Sequence, residues 1–479
     1  MKSTCPIKVS GRVHKLALVL MLATFCISTA RITEAVETLR SIDVSEFGEV
    51  TFFGPQQVAP RGFAFLFSGE DGLNVHDQTV IDRLIDNGVV VTAINSRIAL
   101  KKMESLETEQ GCIDLARSLQ RVSQGAQTDW KFGQYHPPIL LGRGIGGALV
   151  YVALAQAWPY LFAGGISVDM TPTIKLDRTL CGLMTRAVNA GQRLTPQSPP
   201  LQSIWQVGST GLISPDVLAL ALAATRANDA GKVQVVGPKT LSALYYNAVD
   251  FFLKQATPET GRPGSLVSLP IVEISNDAAE NTLVIVYSND AGWQVIERGL
   301  VDAFKNEGYA VLGFDGSRYF WSQKTPASLA QDLAHIVEYY QYKWGVDRVV
   351  LVGYSSGATV LPLAYNRLAA KFKKSVSLMA LISPKRAVQF VVGRSGWLGD
   401  KPRPLLWPLE PEIRELDLDR VQCIYAHVEA NDSLCTTTAM RKVELIEEYG
   451  IDPRLPETGS ALAEFIISRI ERGRQGDSQ

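Results

Sequence analysis

Short apolar runs alternate along this chain with longer stretches of helical composition. Thr282–Tyr287 and Val349–Val352 are apolar runs of strand length, which suits strands buried on both faces of a sheet. Gln294–Asn306, Pro326–Trp344 and Ala358–Ala370 have the composition and length of helices, and Ala461–Arg472 reads as the last one. Strands alternating with helices predict an α/β fold, with mostly parallel sheets covered by helices on both faces.

The pattern occurs twice. Phe65-Leu66-Phe67-Ser68-Gly69-Glu70-Asp71-Gly72 resembles Ile285-Val286-Tyr287-Ser288-Asn289-Asp290-Ala291-Gly292, and Gly88–Val91 resembles Gly308–Val311. Ile139-Leu140-Leu141-Gly142-Arg143-Gly144-Ile145-Gly146 resembles Val350-Leu351-Val352-Gly353-Tyr354-Ser355-Ser356-Gly357. Three matched blocks in one order predict a tandem duplication of α/β domains; the period is too long for a solenoid. The expected division is 31–255, a linker at 256–265 rich in turn formers, and 266–479. Residues from Arg472 onward are polar and are expected to fray.

Ahead of the first repeat, Lys2, Lys8, Arg12 and Lys15 precede the apolar run Leu16–Cys26 and the small residues Ser28-Thr29-Ala30. This is the layout of a secretory signal peptide cleaved after Ala30. Cleavage takes four basic residues and no acid, which moves the net charge from −1 to about −5. A chain of 479 residues with 46% hydrophobic and 20% charged residues is ordinary globular material for two or three domains, and nothing in it suggests nucleic acid as a partner. Export leaves Cys112, Cys181, Cys423 and Cys435 in an oxidising compartment, and their positions favour Cys112–Cys181 and Cys423–Cys435 disulfides, one per half. No metal-ligand spacing occurs and no cofactor is expected.

The chemistry gathers in the second half. Gly353-Tyr354-Ser355-Ser356-Gly357 is G-x-S-x-G between a strand and a helix, the context of a nucleophile elbow. Ser355 is the expected nucleophile. The Ser356 N–H is one expected oxyanion donor, and the loop at Asn289 the source of the second. The strand Val421–Ala426 runs into Asp432, the expected acid, with Glu429 as the alternative. The base is missing. The fold places it just before the last helix, where Glu457-Thr458-Gly459-Ser460 stands. The five histidines are His14, His76, His136, His335 and His427, and none follows the acid. In the first half the elbow serine is Gly144, and the strand Ile204–Val207 runs into Gly208-Ser209-Thr210-Gly211 without an acid. Gly142-x-Gly144-x-x-Gly147 also fits a dinucleotide fingerprint, but a decayed elbow explains it more simply, so no dinucleotide is expected.

These residues resemble the VirJ/AcvB family of bacterial virulence proteins over nearly the whole mature chain. The blocks that carry the resemblance are Asp315–Ser322 with Lys324-Thr325-Pro326, Gly353–Ala358, Leu361–Arg367 and Asp432-Ser433-Leu434-Cys435. The resemblance implies a periplasmic α/β-hydrolase, with Ser355 as nucleophile and Asp432 as acid. In the two-half members it implies hydrolysis of lysyl-phosphatidylglycerol. Two departures stand out. The family's S-G-D-G-G-W loop is Ser288-Asn289-Asp290-Ala291-Gly292-Trp293, and its G-G-H-H-F block is Glu457-Thr458-Gly459-Ser460. Two expectations follow: a serine ester hydrolase acting on an aminoacylated phospholipid headgroup at a membrane surface, or an inactive relative that binds such a headgroup or an envelope protein.

Overall fold

A computed structural model describes residues 40–477 except 56–58, 109–110, 189–190, 198–200, 228–230, 257–265, 267–268, 276–280, 390–405, 451 and 453–454. The expected signal peptide and nearly all of the expected linker lie outside the described residues.

The first half is built on β1 (Arg40–Val44), β2 (Gly48–Phe53), β3 (Gly62–Phe67), β4 (Val89–Ile94), β5 (Ile139–Arg143) and β6 (Gly164–Val168). A small antiparallel sheet of β7 (Thr173–Ile174), β8 (Thr185–Val188) and β9 (Gly191–Leu194) intervenes before β10 (Ile204–Gly208) and β11 (Val233–Val235). The main sheet has the order β1-β2-β4-β3-β5-β6-β10-β11. β2 is antiparallel to β4, and β4 through β11 run parallel. This is the strand order of the α/β-hydrolase fold.

Among the described residues the second half repeats the arrangement from its second strand onward. It comprises β12 (Ile271–Ser275), β13 (Thr282–Tyr287), β14 (Ala310–Phe314), β15 (Arg348–Tyr354) and β16 (Val376–Ile382). The short pair β17 (Ala387–Gln389) and β18 (Leu406–Pro408) stands apart, and β19 (Val421–Ala426) and β20 (Glu444–Glu448) complete the sheet. Its order is β12-β14-β13-β15-β16-β19-β20, antiparallel only at β12. β13 and β14 are buried along their whole length, as their unbroken apolar runs require. Each sheet carries a separate apolar core on each face.

The helices used below are α1 (Val75–Asp86), α2 (Leu115–Asp129), α3 (Ile145–Gln156), α4 (Val295–Asn306), α5 (Pro326–Trp344), α6 (Ser356–Asn366) and α7 (Pro456–Asp477). Two differ from expectation. α6 starts at Ser356 and stops at Asn366, whose side chain donates to the carbonyl and carboxylate of Glu412. α7 starts at Pro456 rather than Ala461 and runs to Asp477 rather than fraying at Arg472. A proline is pre-organised for the first turn of a helix, so the turn forms five residues earlier than its apolar pattern suggests.

The halves pack together through side chains. The rings of Trp158 and Trp293 stack 4.9 Å apart, and Tyr135 meets Trp321 at 5.2 Å. Trp321 Nε1 donates to Phe132 O at 2.9 Å, and Gln120 Nε2 donates to Ala291 O at 3.2 Å. The helices and loops of the first half thus cover the loop after β13, next to the serine elbow.

Candidate active site

The two elbows have one backbone shape. Ser355 has φ 53° and ψ −114°; Gly144 has φ 54° and ψ −123°. Ser355 N donates to Ile382 O, and Gly144 N to the matching Val168 O. The glycine two residues on is needed for close packing: a Cβ on Gly357 would lie 2.4 Å from Tyr287 O, and one on Gly146 2.4 Å from Ser68 O. Each elbow therefore presses against the strand beside it, and residue 355 or 144 is turned outward at a positive φ.

The neighbouring loops repeat bond by bond. Ser96 N donates to Ser68 Oγ at 3.0 Å, and Gly316 N to Ser288 Oγ at 3.0 Å. In α1 the third residue, Asp77, accepts from Asn74 N; in α4 the third residue, Glu297, accepts from Gln294 N. These equivalences hold at the offset of 220 read from the sequence, and the tandem duplication of the α/β-hydrolase-like unit is evident in them.

The differences decide the chemistry. In the first half a Cβ at residue 144 would lie 2.2 Å from Glu70 Oε2, so the Glu70 carboxylate fills the space a nucleophile would need. Arg143 pairs with Asp77 at 3.2 Å and Asp71 at 2.6 Å, locking the loop across the elbow. In the second half Tyr354 replaces Arg143, and the fully buried Glu297 makes no ion pair among the described residues, although the Arg298 charge is near enough to favour its ionised form. Burial pushes its carboxyl up to about 7, against the hydrogen bonds from Gln294 and Asn289 N–H groups that favour the ionised form.

Ser355 is half-buried, and its Oγ makes no hydrogen bond among the described residues. Ser356 opens α6, so its N–H belongs to the unsatisfied first turn of a helix, where negative charge is favoured. Its Oγ accepts from Asp290 N at 2.7 Å and donates to Asp290 Oδ1 at 3.0 Å. Asn289 departs from the role expected of it. Its backbone N–H is committed to Glu297 Oε1 at 3.3 Å, and its Oδ1 accepts from Ala291 N at 2.7 Å. Gly292 N donates to Asn289 O. The loop that should supply the second oxyanion amide thus satisfies its own amides and leaves Asn289 only its carboxamide nitrogen to donate. The side chain at 289 accounts for one of these bonds, because its Oδ1 reaches forward to cap its own turn at Ala291 N.

Asp432 is exposed on the loop after β19, where its N–H donates to Glu429 O. Glu429 pairs with Lys385 at 3.5 Å. The loop is held to the segment after β16 by Leu434 N donating to Pro384 O and by the Cys423–Cys435 disulfide, whose cysteines are both fully buried. Cys112–Cys181 is the second disulfide, so both expected pairings form, one in each half.

Among the described residues no histidine is placed to complete the set. His427 Nδ1 lies 2.7 Å from Glu447 Oε1, and its ring stacks on Tyr449 at 4.4 Å. Both partners lie on the β20 side, away from β15. Two strand spacings, about 10 Å, separate the ends of β15 and β19. His335 is packed in α5, and His76 is exposed at the start of α1. His136 faces Phe132, with its ring held below its ordinary pKa by burial. The segment expected to hold the base is the first turn of α7, packed against α4: a Cβ on Gly459 would lie 2.2 Å from Ile296 O.

The sequence reading overlooked two features. Glu297 could have been found from its match to Asp77 at the offset of 220. The α2 side chains that reach the second half had no signal, because their role depends on how the halves pack.

Among solved structures, the chain is similar to TT1662 from Thermus thermophilus (11% identity, 46% of this chain and 98% of that chain, TM-score 0.31). It is similar to Est1E from Butyrivibrio proteoclasticus (13%, 40% and 88%, 0.29) and to an esterase of the bacterial hormone-sensitive lipase family (13%, 52% and 100%, 0.30). No curated protein matches the chain significantly. Among the described residues no helix is long and apolar enough to cross a membrane. The family model described as bacterial virulence protein (VirJ) matches residues 281–474, so the half that keeps the serine elbow is similar to that family.

Proposed function

We propose that this protein is a periplasmic serine ester hydrolase acting on the aminoacyl ester of a phospholipid headgroup, of the lysyl-phosphatidylglycerol kind. One observation carries the reading. Ser355 is held at φ 53°, a backbone conformation that costs about 1–3 kcal/mol for a residue with a side chain, and that Gly144 adopts without this cost. Such strain is commonly kept where the side chain is used. In the reaction the Ser355 oxygen adds to the ester carbonyl, and the Ser356 N–H takes the developing oxyanion. The headgroup alcohol leaves with a proton, and water then releases the amino acid. The serine proton needs an acceptor, and without a positioned imidazole it goes to water. The rate should therefore fall about 10²–10⁴-fold below that of an intact serine hydrolase. The two disulfides and the family match support an exported location.

The position of His427 favours a second reading, in which the fold binds such a headgroup or an envelope protein without turning it over. Incubating the purified mature chain with lysyl-phosphatidylglycerol and scoring free lysine separates the two. Slow release that disappears in Ser355→Ala supports hydrolysis. No release above the lipid alone refutes it and leaves binding.

A further inference from the structure

Beside the elbow, between the halves, lies a cavity of about 260 Å³. One wall is Asn289 and Tyr354 of the second half; the other is Arg117, Gln120, Arg121 and Gln124, which share one face of α2 in the first half. No carboxylate lines it. Gln120 and Gln124 are buried. Gln120 Nε2 spans the junction to Ala291 O, whereas Gln124 Nε2 has no partner among the described residues. A buried donor without an acceptor is costly and commonly marks a place that something else occupies. One lining arginine is neutralised by an acid and the other is not. Glu46 pairs with Arg121 and accepts from Ser118, and Asp114 caps α2 through Arg117 N. The Arg117 guanidinium has no carboxylate partner among the described residues. The recess thus presents donors and positive charge, and its volume far exceeds the roughly 10–15 Å³ that one water needs.

We propose that this recess binds an oxyanion of phosphate type. Its donors would be Arg117 and Gln124, so the half that lost its nucleophile supplies substrate recognition to the half that kept one. Arginine suits this task because its planar fork matches a phosphate and stays charged. As a statement about substrate, the proposal rests on the ester-hydrolase reading above; as a statement about binding, it stands without it. The shared chemistry is a phosphate monoester or diester, either within a lipid headgroup or on a small soluble molecule.

The test is calorimetric titration of the full mature chain carrying Ser355→Ala, which prevents turnover. The probes are inorganic phosphate, glycerophosphoglycerol and phosphatidylglycerol vesicles. One site per chain should bind at least one probe, weaken with added salt, and lose at least tenfold in affinity on Arg117→Gln, with a smaller loss on Arg117→Lys. Gln124→Leu should weaken it several-fold. Vesicle binding that depends on Arg117 identifies a lipid source; binding of the two small probes alone identifies a soluble one. No binding of any probe, or affinities unchanged by Arg117→Gln and Gln124→Leu with folded spectra, overturns the proposal. Lysine release by the Ser355-containing chain that does not depend on Arg117 would overturn the recess's role in substrate recognition while leaving the hydrolase reading intact. Anion binding without any hydrolysis would do the reverse.

Discussion

Ser355 and Gly144 occupy one backbone shape, so the chain contains its own control for the cost of the elbow. Ser355→Gly should raise stability by about 1 kcal/mol: relief of strain outweighs the extra entropy that a glycine loses on folding. Urea unfolding measures it, and a destabilised variant would show that Ser355 is not strained. Glu297 gives a second prediction. Its folded value of about 7 lies above the ordinary 4.5, so the unfolded chain releases this proton first as pH rises. The contribution to stability is full below about pH 4.5 and is lost progressively up to about pH 7. The loss amounts to about 3 kcal/mol. Glu297→Gln should remove that loss, so that parent and variant diverge between pH 4.5 and 8 with the parent falling faster. Parallel curves would show that Glu297 takes up its proton alike in the folded and unfolded chains, so that burial does not raise it.

At the scale of elements, the strands that carry the site were legible because their apolar runs are unbroken. Thr282–Tyr287 and Val421–Ala426 have the expected bounds, and β15 extends Val349–Val352 by one residue before it and two after. The duplication was legible for the same reason, since buried strands and the glycines between them tolerate little change. The loops were less so. Asn289 could be placed after β13, but a sequence does not show which way a backbone amide points, and here the N–H turns to Glu297. The start of α7 was misjudged because the residues that pack its first turn against α4, Thr458 and Gly459, are a polar residue and a glycine and carry no apolar periodicity. Glu457–Ser460 is consequently a helical turn against α4 and not a free loop. A histidine introduced there should raise esterase activity by well under the 10²–10⁴-fold that a well-placed base supplies, and assays with a chromogenic ester will read the gain. A full restoration would show that this turn opens toward Ser355.

Over the whole molecule, the first half lies against the second through the Trp158–Trp293 stack and the bonds from Gln120 and Trp321. Aromatic pairs contribute about 0.5–1.5 kcal/mol beyond the area they bury. Trp158→Ala should therefore weaken the coupling of the halves and split a single calorimetric unfolding transition into two; one sharp transition in the variant would mean that other contacts join them. The arrangement gives the duplication a division of labour, with Glu70 filling the dead elbow and Ser355 kept turned outward in the other. That claim is tested most directly by reaction with a fluorophosphonate and peptide mapping of the product. The account predicts slow labelling at Ser355 alone, lost in Ser355→Ala and absent from the first half even in Gly144→Ser. No label at Ser355 after prolonged exposure, or labelling as fast as that of an intact serine hydrolase, would contradict it.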